Sequence, residues 1–176
     1  MIGRRSAAAI ALATLLAVLS SCSSAATGNP LDVTNTNAYE AAIRWYIADL
    51  PQPTDTTNTG PLIMFVAPSS GKTIDAHTQA AVAKDLADMK DVVVVRFLDD
   101  RDDAVQLDVA GRPVKDRGVL LLVNSFSPHP PPLDLQVSVY RSEAETSNYE
   151  LTITHTTAAA HPFTATATAS TAVVPG

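Results

Sequence analysis

Residues 65–73, FVAPSSGKT, bring two serines, a lysine and a glycine together within one short segment. Ser69 and Lys72 are spaced so that an amine could take the proton of a hydroxyl nucleophile. Gly71, Lys72 and Thr73 offer instead the flexible backbone, the cation and the hydroxyl with which proteins hold a nucleotide phosphate. An apolar run precedes this segment and a helical pattern follows it, so either chemistry would lie where a strand turns into a helix.

The phosphate-binding interpretation requires a further glycine, which this segment lacks. Val66 occupies that position, and a β-branched side chain does not suit the close backbone approach that glycine provides there. The apolar strand followed by Asp99 is similar to the strand of nucleotide-binding proteins that ends in an acidic residue and holds magnesium through water. However, the chain after it lacks the repeated strand and helix units that complete a nucleotide-binding sheet. We therefore expect neither a bound nucleotide nor another cofactor.

The pattern Ser69-x-x-Lys72 resembles the SxxK motif of penicillin-binding proteins, which act outside the cytoplasmic membrane. By that resemblance Ser69 would be the nucleophile and Lys72 its base. Pro68 and Gly71 place both side chains on a loop, and the partner motifs SxN and KTG are absent from the sequence. A serine hydrolase or acyltransferase is therefore the alternative function. The simplest interpretation of the segment is a strand-to-helix turn, with Thr73 as the helix cap.

Metal-ligating residues are present in the sequence without the spacing that a metal site requires. The acidic run DDRDD at residues 99–103 lacks the alternating acids and the glycine of a calcium loop. The single cysteine excludes a cysteine-based zinc cluster, and the histidines have no paired spacing. The four histidines are His77, His129, His155 and His161. We predict no metal site, and we expect His77 to lie on the exposed side of its helix.

The N-terminal segment has the layout of an export signal, with two arginines followed by an uncharged apolar run over residues 7–19. The run is shorter than the roughly 20 apolar residues that a membrane-spanning helix requires. The four residues LSSC at 19–22 resemble the lipobox of bacterial lipoproteins. The resemblance implies cleavage between Ser21 and Cys22, a diacylglycerol thioether on Cys22 and an acyl group on its new amine. Cys22 is the only cysteine, so the chain forms no internal disulfide.

A chain anchored in this way would lie on the outer face of the cell membrane, where little ATP or GTP is present. Two acyl chains hold a protein on a membrane stably, so anchorage needs no other apolar segment. Removing residues 1–21 leaves 155 residues with 10 basic and 18 acidic side chains, a formal charge of about −8. This acidic balance argues against nucleic acid and anionic lipid headgroups as partners.

The elements that position the FVAPSSGKT segment follow from the hydrophobic pattern. Residues 22–37 are small and polar, with a glycine and a proline, which is typical of a flexible tether. One apolar stripe predicts a helix over 38–50, in which Trp45 packs against a sheet. Near-continuous apolar character predicts a strand over 62–67 that is buried on both faces.

A second helix is predicted over 74–90 and a second strand over 92–98, after which the alternation of strand and helix stops. The second half of the chain is rich in strands, the clearest of which is VLLLV at 119–123. Two alternating segments that follow it have the spacing of a hairpin. The final run, 161–171, predicts a lightly packed edge strand or a frayed tail.

The sequence therefore predicts a single α+β domain over residues 38–176. In it, two helices pack on a mostly antiparallel sheet of five or six strands, and the C-terminal half is β-rich. The leading functional prediction is a lipid-anchored envelope protein that binds a ligand or another envelope protein without catalysis. The alternative is a small envelope serine hydrolase or acyltransferase that uses Ser69 and Lys72.

Overall fold

The computed structural model describes residues 32–50, 60–70, 72–124, 126–157 and 161–172. The expected signal peptide, Cys22 and most of the expected tether lie outside these residues, so the division into signal peptide, tether and domain stays a prediction. Within the described residues there are two α-helices, α1 (Asn35–Asp49) and α2 (Ala76–Asp85). The strands are β1 (Leu62–Pro68), β2 (Val93–Phe97), β3 (Val119–Val123), β4 (Leu133–Ser142), β5 (Glu145–His155) and β6 (Phe163–Ala172).

The six strands form one mixed sheet in the order β2-β1-β3-β4-β5-β6. β1 is parallel to both of its neighbours, whereas the three remaining pairs are antiparallel. The predicted α+β class and the mostly antiparallel sheet are therefore confirmed. β4 and β5 form the predicted hairpin, and β6 is the predicted edge strand.

The chain runs from β1 to β2 on one face of the sheet and returns from β2 to β3 on the opposite face. α2 joins β1 to β2 on one face, and residues 98–118 join β2 to β3 on the other. Connections of one hand that run in opposite directions along a sheet must lie on opposite faces. As a result Met64 and Val66 are buried on the helix side, and Phe65 and Ala67 are buried on the other side. The predicted burial of this strand on both faces is confirmed.

The larger core lies between the two helices and the sheet. α1 is buried over much of its surface because it contacts α2 as well as strands β5 and β6. Trp45 is 3% exposed and meets Tyr149 edge-on, with 4.9 Å between the ring centroids, which confirms its predicted packing against the sheet. α1 begins at Asn35, three residues earlier than expected, because Thr34 and Asn37 form a capping box at its start.

α2 is shorter than the sequence predicts, and its cap is a different residue. The Asp75 carboxylate accepts hydrogen bonds from the Thr78 backbone N–H at 2.9 Å and from the Thr78 hydroxyl at 2.6 Å. The prediction of Thr73 as the cap is therefore wrong, since a carboxylate two residues further on binds the first turn instead. α2 ends at Asp85, and a 3₁₀ turn at Ala87–Met89 replaces the last turn of the predicted helix.

The sheet face opposite the helices is covered only in part. Residues 98–118 pack Ala104, Val105 and Val114 against β1, β3 and the Tyr140 side chain of β4, forming a second, smaller core. On the rest of this face the outward side chains of β4 and β5 are polar and are exposed or half-buried. Because β4 runs antiparallel to β3, this open area adjoins the carboxyl end of β3.

Candidate functional site

Ser69 and Lys72 follow the carboxyl end of β1, on the turn that leads to α2. The Ser69 hydroxyl donates a hydrogen bond to Oδ1 of Asn124, and the Ser69 backbone N–H donates to the Val123 carbonyl at 3.0 Å. Among the described residues, no hydrogen bond or ion pair joins Ser69 to Lys72, which is exposed. The structure therefore places the predicted nucleophile against a carboxamide and not against the predicted base.

A chain of side-chain hydrogen bonds continues from Ser69 onto β4. Asn124 accepts from Ser69 through Oδ1 and donates through Nδ2 to Oε1 of Gln136, at 3.0 Å. A side-chain amide whose oxygen is engaged still has two N–H donors on its nitrogen. The chain thus fixes the orientation of Gln136 and leaves its Nε2 group as the donor for an incoming ligand.

A second pair of polar side chains joins β4 to its other neighbour, β5, two residues further along β4. Ser138 donates to Oδ1 of Asn148 at 2.5 Å, which leaves Nδ2 of Asn148 as a donor. In the β4–β5 register Ser138 is opposite Asn148, and Gln136 is opposite Glu150. Side chains two residues apart on a strand lie roughly 6.8 Å apart on one face, so these four side chains form two neighbouring rows.

These side chains line a shallow groove of about 410 Å³ on the open face of the sheet. An adjoining hollow of about 360 Å³ shares part of this lining and extends to Phe126 and Asp134. We call the two together the amide groove, which is defined by Asn124, Phe126, Asp134, Gln136, Ser138, Asn148 and Glu150.

The charges of the amide groove are all negative within the described part of the chain. Asp134 accepts a hydrogen bond from the Thr152 hydroxyl at 2.8 Å. The carboxylate of Glu150 binds none of the described residues, so both of its oxygens are available as acceptors. The groove consequently offers oriented amide donors beside an unengaged carboxylate.

The amide groove adjoins the position at which ligands bind in open α/β sheets. β1 and β3 are parallel neighbours, and the segments that connect them to β2 lie on opposite faces. Such a reversal of strand order opens a crevice outside the carboxyl ends of the strands, where ligands bind. Ser69 and Asn124 lie immediately after those two ends, and β4 extends the crevice onto the open face.

A smaller cleft of about 150 Å³ lies at the N-terminus of α2, with Lys72 in its lining. Hydrogen bonds from the Thr78 hydroxyl and backbone N–H lower the pKa of Asp75, which caps the helix there. Burial, with Asp75 nearby, raises the pKa of the Tyr39 phenol in the same cleft. The Asp75 carboxylate thus already accepts a hydrogen bond from a free backbone N–H group of the first turn of α2.

A cluster of charged side chains lies on the helix side of the sheet. The Arg44 Nε donates to Glu40 at 2.9 Å, and its two Nη groups donate to the two carboxylate oxygens of Asp88 at 3.1 and 2.7 Å. The direct hydrogen bond from Arg44 lowers the pKa of Asp88. The His161 Nδ1 lies 2.7 Å from the same Glu40 oxygen that Arg44 binds. The four side chains join α1, the turn after α2 and the segment just before β6, so we assign them a structural role.

Within the described residues, no group of three or more His, Cys, Asp or Glu side chains is placed to hold a metal ion. The acidic run forms a 3₁₀ turn at Arg101–Ala104, in which the Asp100 carboxylate accepts from the Asp102 N–H at 2.9 Å. These acidic side chains are exposed, and so is His77, as predicted. Neither helix of this part of the chain has the length and apolar character to cross a membrane.

Gln136, Asn148 and Glu150 are not among the site residues predicted from the sequence, although both of their strands are predicted. The prediction of those strands depends on the apolar side chains that face the helices. The available signal is the set of polar positions between them, because amide and carboxylate side chains there recur on both strands of one hairpin. Neither Ser69 nor Lys72 belongs to the lining of the amide groove. Ser69 contacts the lining through its hydrogen bond to Asn124, whereas Lys72 lines the smaller cleft at the start of α2.

Comparison with known proteins adds no relative from which a function could be transferred. No protein-family model, curated protein or solved structure gives a significant match to this chain. The amide groove and the N-terminal sequence are therefore the observations on which a functional proposal can rest.

Proposed function

We propose that this protein is a lipoprotein of the bacterial cell envelope, anchored on the outer face of the cell membrane through lipid on Cys22. The support is the order of a basic segment, an apolar run and the residues LSSC. Each buried methylene contributes about 0.8 kcal/mol to membrane binding, so two or three acyl chains give stable anchorage. The described domain begins at Asp32. A segment of nine residues, the number between Cys22 and Asp32, spans at most about 30 Å. The domain would then work close to the membrane surface.

Replacing Cys22 tests the anchor directly. In cells supplied with a palmitate analogue that can be tagged, we expect the wild-type chain to carry label and to sediment with membranes. The Cys22→Ala chain should carry no label and should keep its signal peptide, because the lipid-dependent cleavage cannot occur. Ser24→Ala is the matched control outside the lipobox and should be labelled normally. Lipid incorporation into Cys22→Ala would refute the anchor.

We further propose that the domain acts by binding, with the amide groove as its binding surface. The observation that carries this proposal is the hydrogen-bond chain from Ser69 through Asn124 to Gln136, which ends in donors that are available to a ligand. A serine nucleophile needs a base within hydrogen-bond reach, and a carboxamide does not take up a proton at neutral pH. The contact of Ser69 with Asn124 thus supports an orienting role for Ser69 over a nucleophilic one.

A serine-acylating fluorophosphonate distinguishes this proposal from the hydrolase alternative. We expect the wild-type protein to remain unlabelled under conditions in which an added serine hydrolase is fully labelled. Labelling of the wild type that disappears in Ser69→Ala would contradict the binding proposal and establish Ser69 as a nucleophile.

A further inference from the structure

We propose that the amide groove binds a segment of an uncharged glycan, that is, a ligand with many hydroxyl groups and no net charge. This inference rests on the proposed binding function and specifies its ligand class. It follows from three features of the groove: the charge of its lining, the order of its donors and acceptors, and its place on internal strands.

The charge of the lining disfavours anionic ligands, and its many neutral donors are of no use to a cation. An anionic ligand such as a phosphate or a uronic acid would meet Asp134 and Glu150 without a cation among the described lining residues. The net negative charge of the chain adds to that repulsion. A cation would meet two carboxylates, but the other polar side chains of the lining are neutral amides and a hydroxyl, which provide donors that a cation cannot use. Most of the lining is neutral, which suits a neutral ligand.

The order of donors and acceptors matches adjacent hydroxyl groups. A hydroxyl donates one hydrogen bond and accepts up to two. Glu150 can accept from two hydroxyls on neighbouring carbons, while Nε2 of Gln136, directly across the strand pair, donates to them. Asn148 provides a second donor in the next row. Hydrogen bonds to a carboxylate are about twice as strong as neutral ones, so Glu150 should dominate the affinity.

The place of the groove within the sheet favours a glycan over an extended peptide. Peptides that bind to sheets pair with the backbone of an edge strand and insert alternate side chains into pockets. β4 and β5 are internal strands whose backbone groups bind neighbouring strands, so only their side chains can recognise a ligand here. Phe126 packs partly against the larger core, and its remaining surface lines the end of the groove as the aromatic neighbour of a bound ligand.

The test titrates the full-length lipidated protein in phosphatidylcholine nanodiscs by isothermal titration calorimetry. The probes are N-acetylchitotetraose and maltotetraose as neutral glycans, tetragalacturonate as an anion and tetralysine as a cation. We expect at least one neutral probe to bind and neither charged probe to do so. Glu150→Gln should weaken that binding about tenfold, because one charge-assisted contact becomes neutral. Glu145→Gln removes the same charge at an exposed site on the same strand and should leave the affinity unchanged.

Each other outcome overturns a separate part of the account. Preferential binding of tetralysine, lost in Glu150→Gln, would overturn the glycan class while retaining the groove as the binding surface. Binding of a neutral glycan with unchanged affinity in both Glu150→Gln and Gln136→Leu would overturn the groove and with it the proposed site. Failure of both neutral probes to bind would overturn the glycan proposal. The altered side chains are exposed, so unchanged melting temperatures should confirm that the variants fold.

Discussion

Arg44 satisfies acceptors from three parts of the chain with one guanidinium. It binds the Glu40 carboxylate on its own helix, the Asp85 carbonyl at the end of α2 and the Asp88 carboxylate in the following turn. The Glu40 side chain is only 8% exposed, so its charge depends on partners inside the protein. His161 is a second partner of Glu40. The charged cluster therefore connects α1 to α2 and to the turn that follows it, and Arg44 makes most of the hydrogen bonds in the cluster.

Removing the Arg44 charge should destabilise the domain measurably. We expect Arg44→Met to lower the free energy of unfolding by about 1–3 kcal/mol, because Glu40 loses a hydrogen-bonded cation while it stays buried. The double variant Arg44→Met with Glu40→Gln should lose less than the two single variants combined. Denaturant unfolding followed by the fluorescence of the buried Trp45 gives these values.

Arg112→Met is the matched control for Arg44→Met. Arg112 and Glu143 form an ion pair in which both side chains are more than half exposed, and such pairs contribute little to stability. We expect a change within about 0.5 kcal/mol for this variant. Equal losses in Arg44→Met and Arg112→Met would show that the buried cluster is no stronger than a surface pair.

At the scale of elements, β3 can lie beside β1 only because Gly118 precedes it. A Cβ at this position would lie 2.5 Å from the Ile63 carbonyl oxygen and 3.2 Å from the Lys115 carbonyl oxygen. Both of these atoms belong to the backbone, so relief of the clash requires a shift of a strand or a turn. Asn124, which links Ser69 to the groove, follows the same strand. The position of the candidate site thus depends on this close approach.

Gly118→Ala should lower the free energy of unfolding by about 1–3 kcal/mol, in the range found for overpacked cores. Gly111→Ala is the matched control: no atom lies within 4 Å of its added Cβ, and the strain comes only from its φ of +75°. That strain costs roughly 1 kcal/mol. Thermal and denaturant unfolding of both variants measures the two losses of free energy of unfolding. A Gly118→Ala protein as stable as the wild type would contradict the close packing of β1 and β3.

The elements of this fold were predictable from sequence to the extent that core residues repeat with the period of a helix or a strand. α1, β1, β2 and β3 all follow from such patterns. The start of α2 does not, because Asp75 and Thr73 are both good caps and only the folded turn selects between them. The contact of Ser69 with Asn124 is likewise invisible in the spacing, since the two residues are 55 positions apart and meet only when β1 pairs with β3.

At the scale of the whole molecule, the two faces of the sheet are covered differently. One face carries both helices and the larger core, which includes the buried phenols of Tyr39 and Tyr46. The other face has a smaller core at one end and the amide groove at the other. Ligand binding at the groove would not require the helix layer to open, so we expect the fold to change little on binding.

The buried phenols should make the free energy of unfolding fall at alkaline pH. Burial raises the pKa of Tyr39, Tyr46 and Tyr140 above the ordinary value of 10.0, so the folded state favours the protonated phenols. Their stabilising contribution is complete below about pH 10 and is lost as the pH rises through the raised pKa values. Denaturant unfolding should give a falling free energy of unfolding above about pH 10. Titration of all tyrosinate absorbance near pH 10 in a protein that remains folded would contradict this burial.

The most direct test of the central claim, a membrane-anchored domain that binds through the amide groove, is photocrosslinking in living cells. A photoreactive amino acid replaces Thr152, which contacts Asp134 at the rim of the groove, or Lys84, which is exposed on α2 in the helix layer. We predict adducts from position 152 that disappear when Gln136→Leu and Glu150→Gln are combined, and none from position 84. Adducts from position 84 alone, or adducts from position 152 that survive the combined substitutions, would contradict the claim.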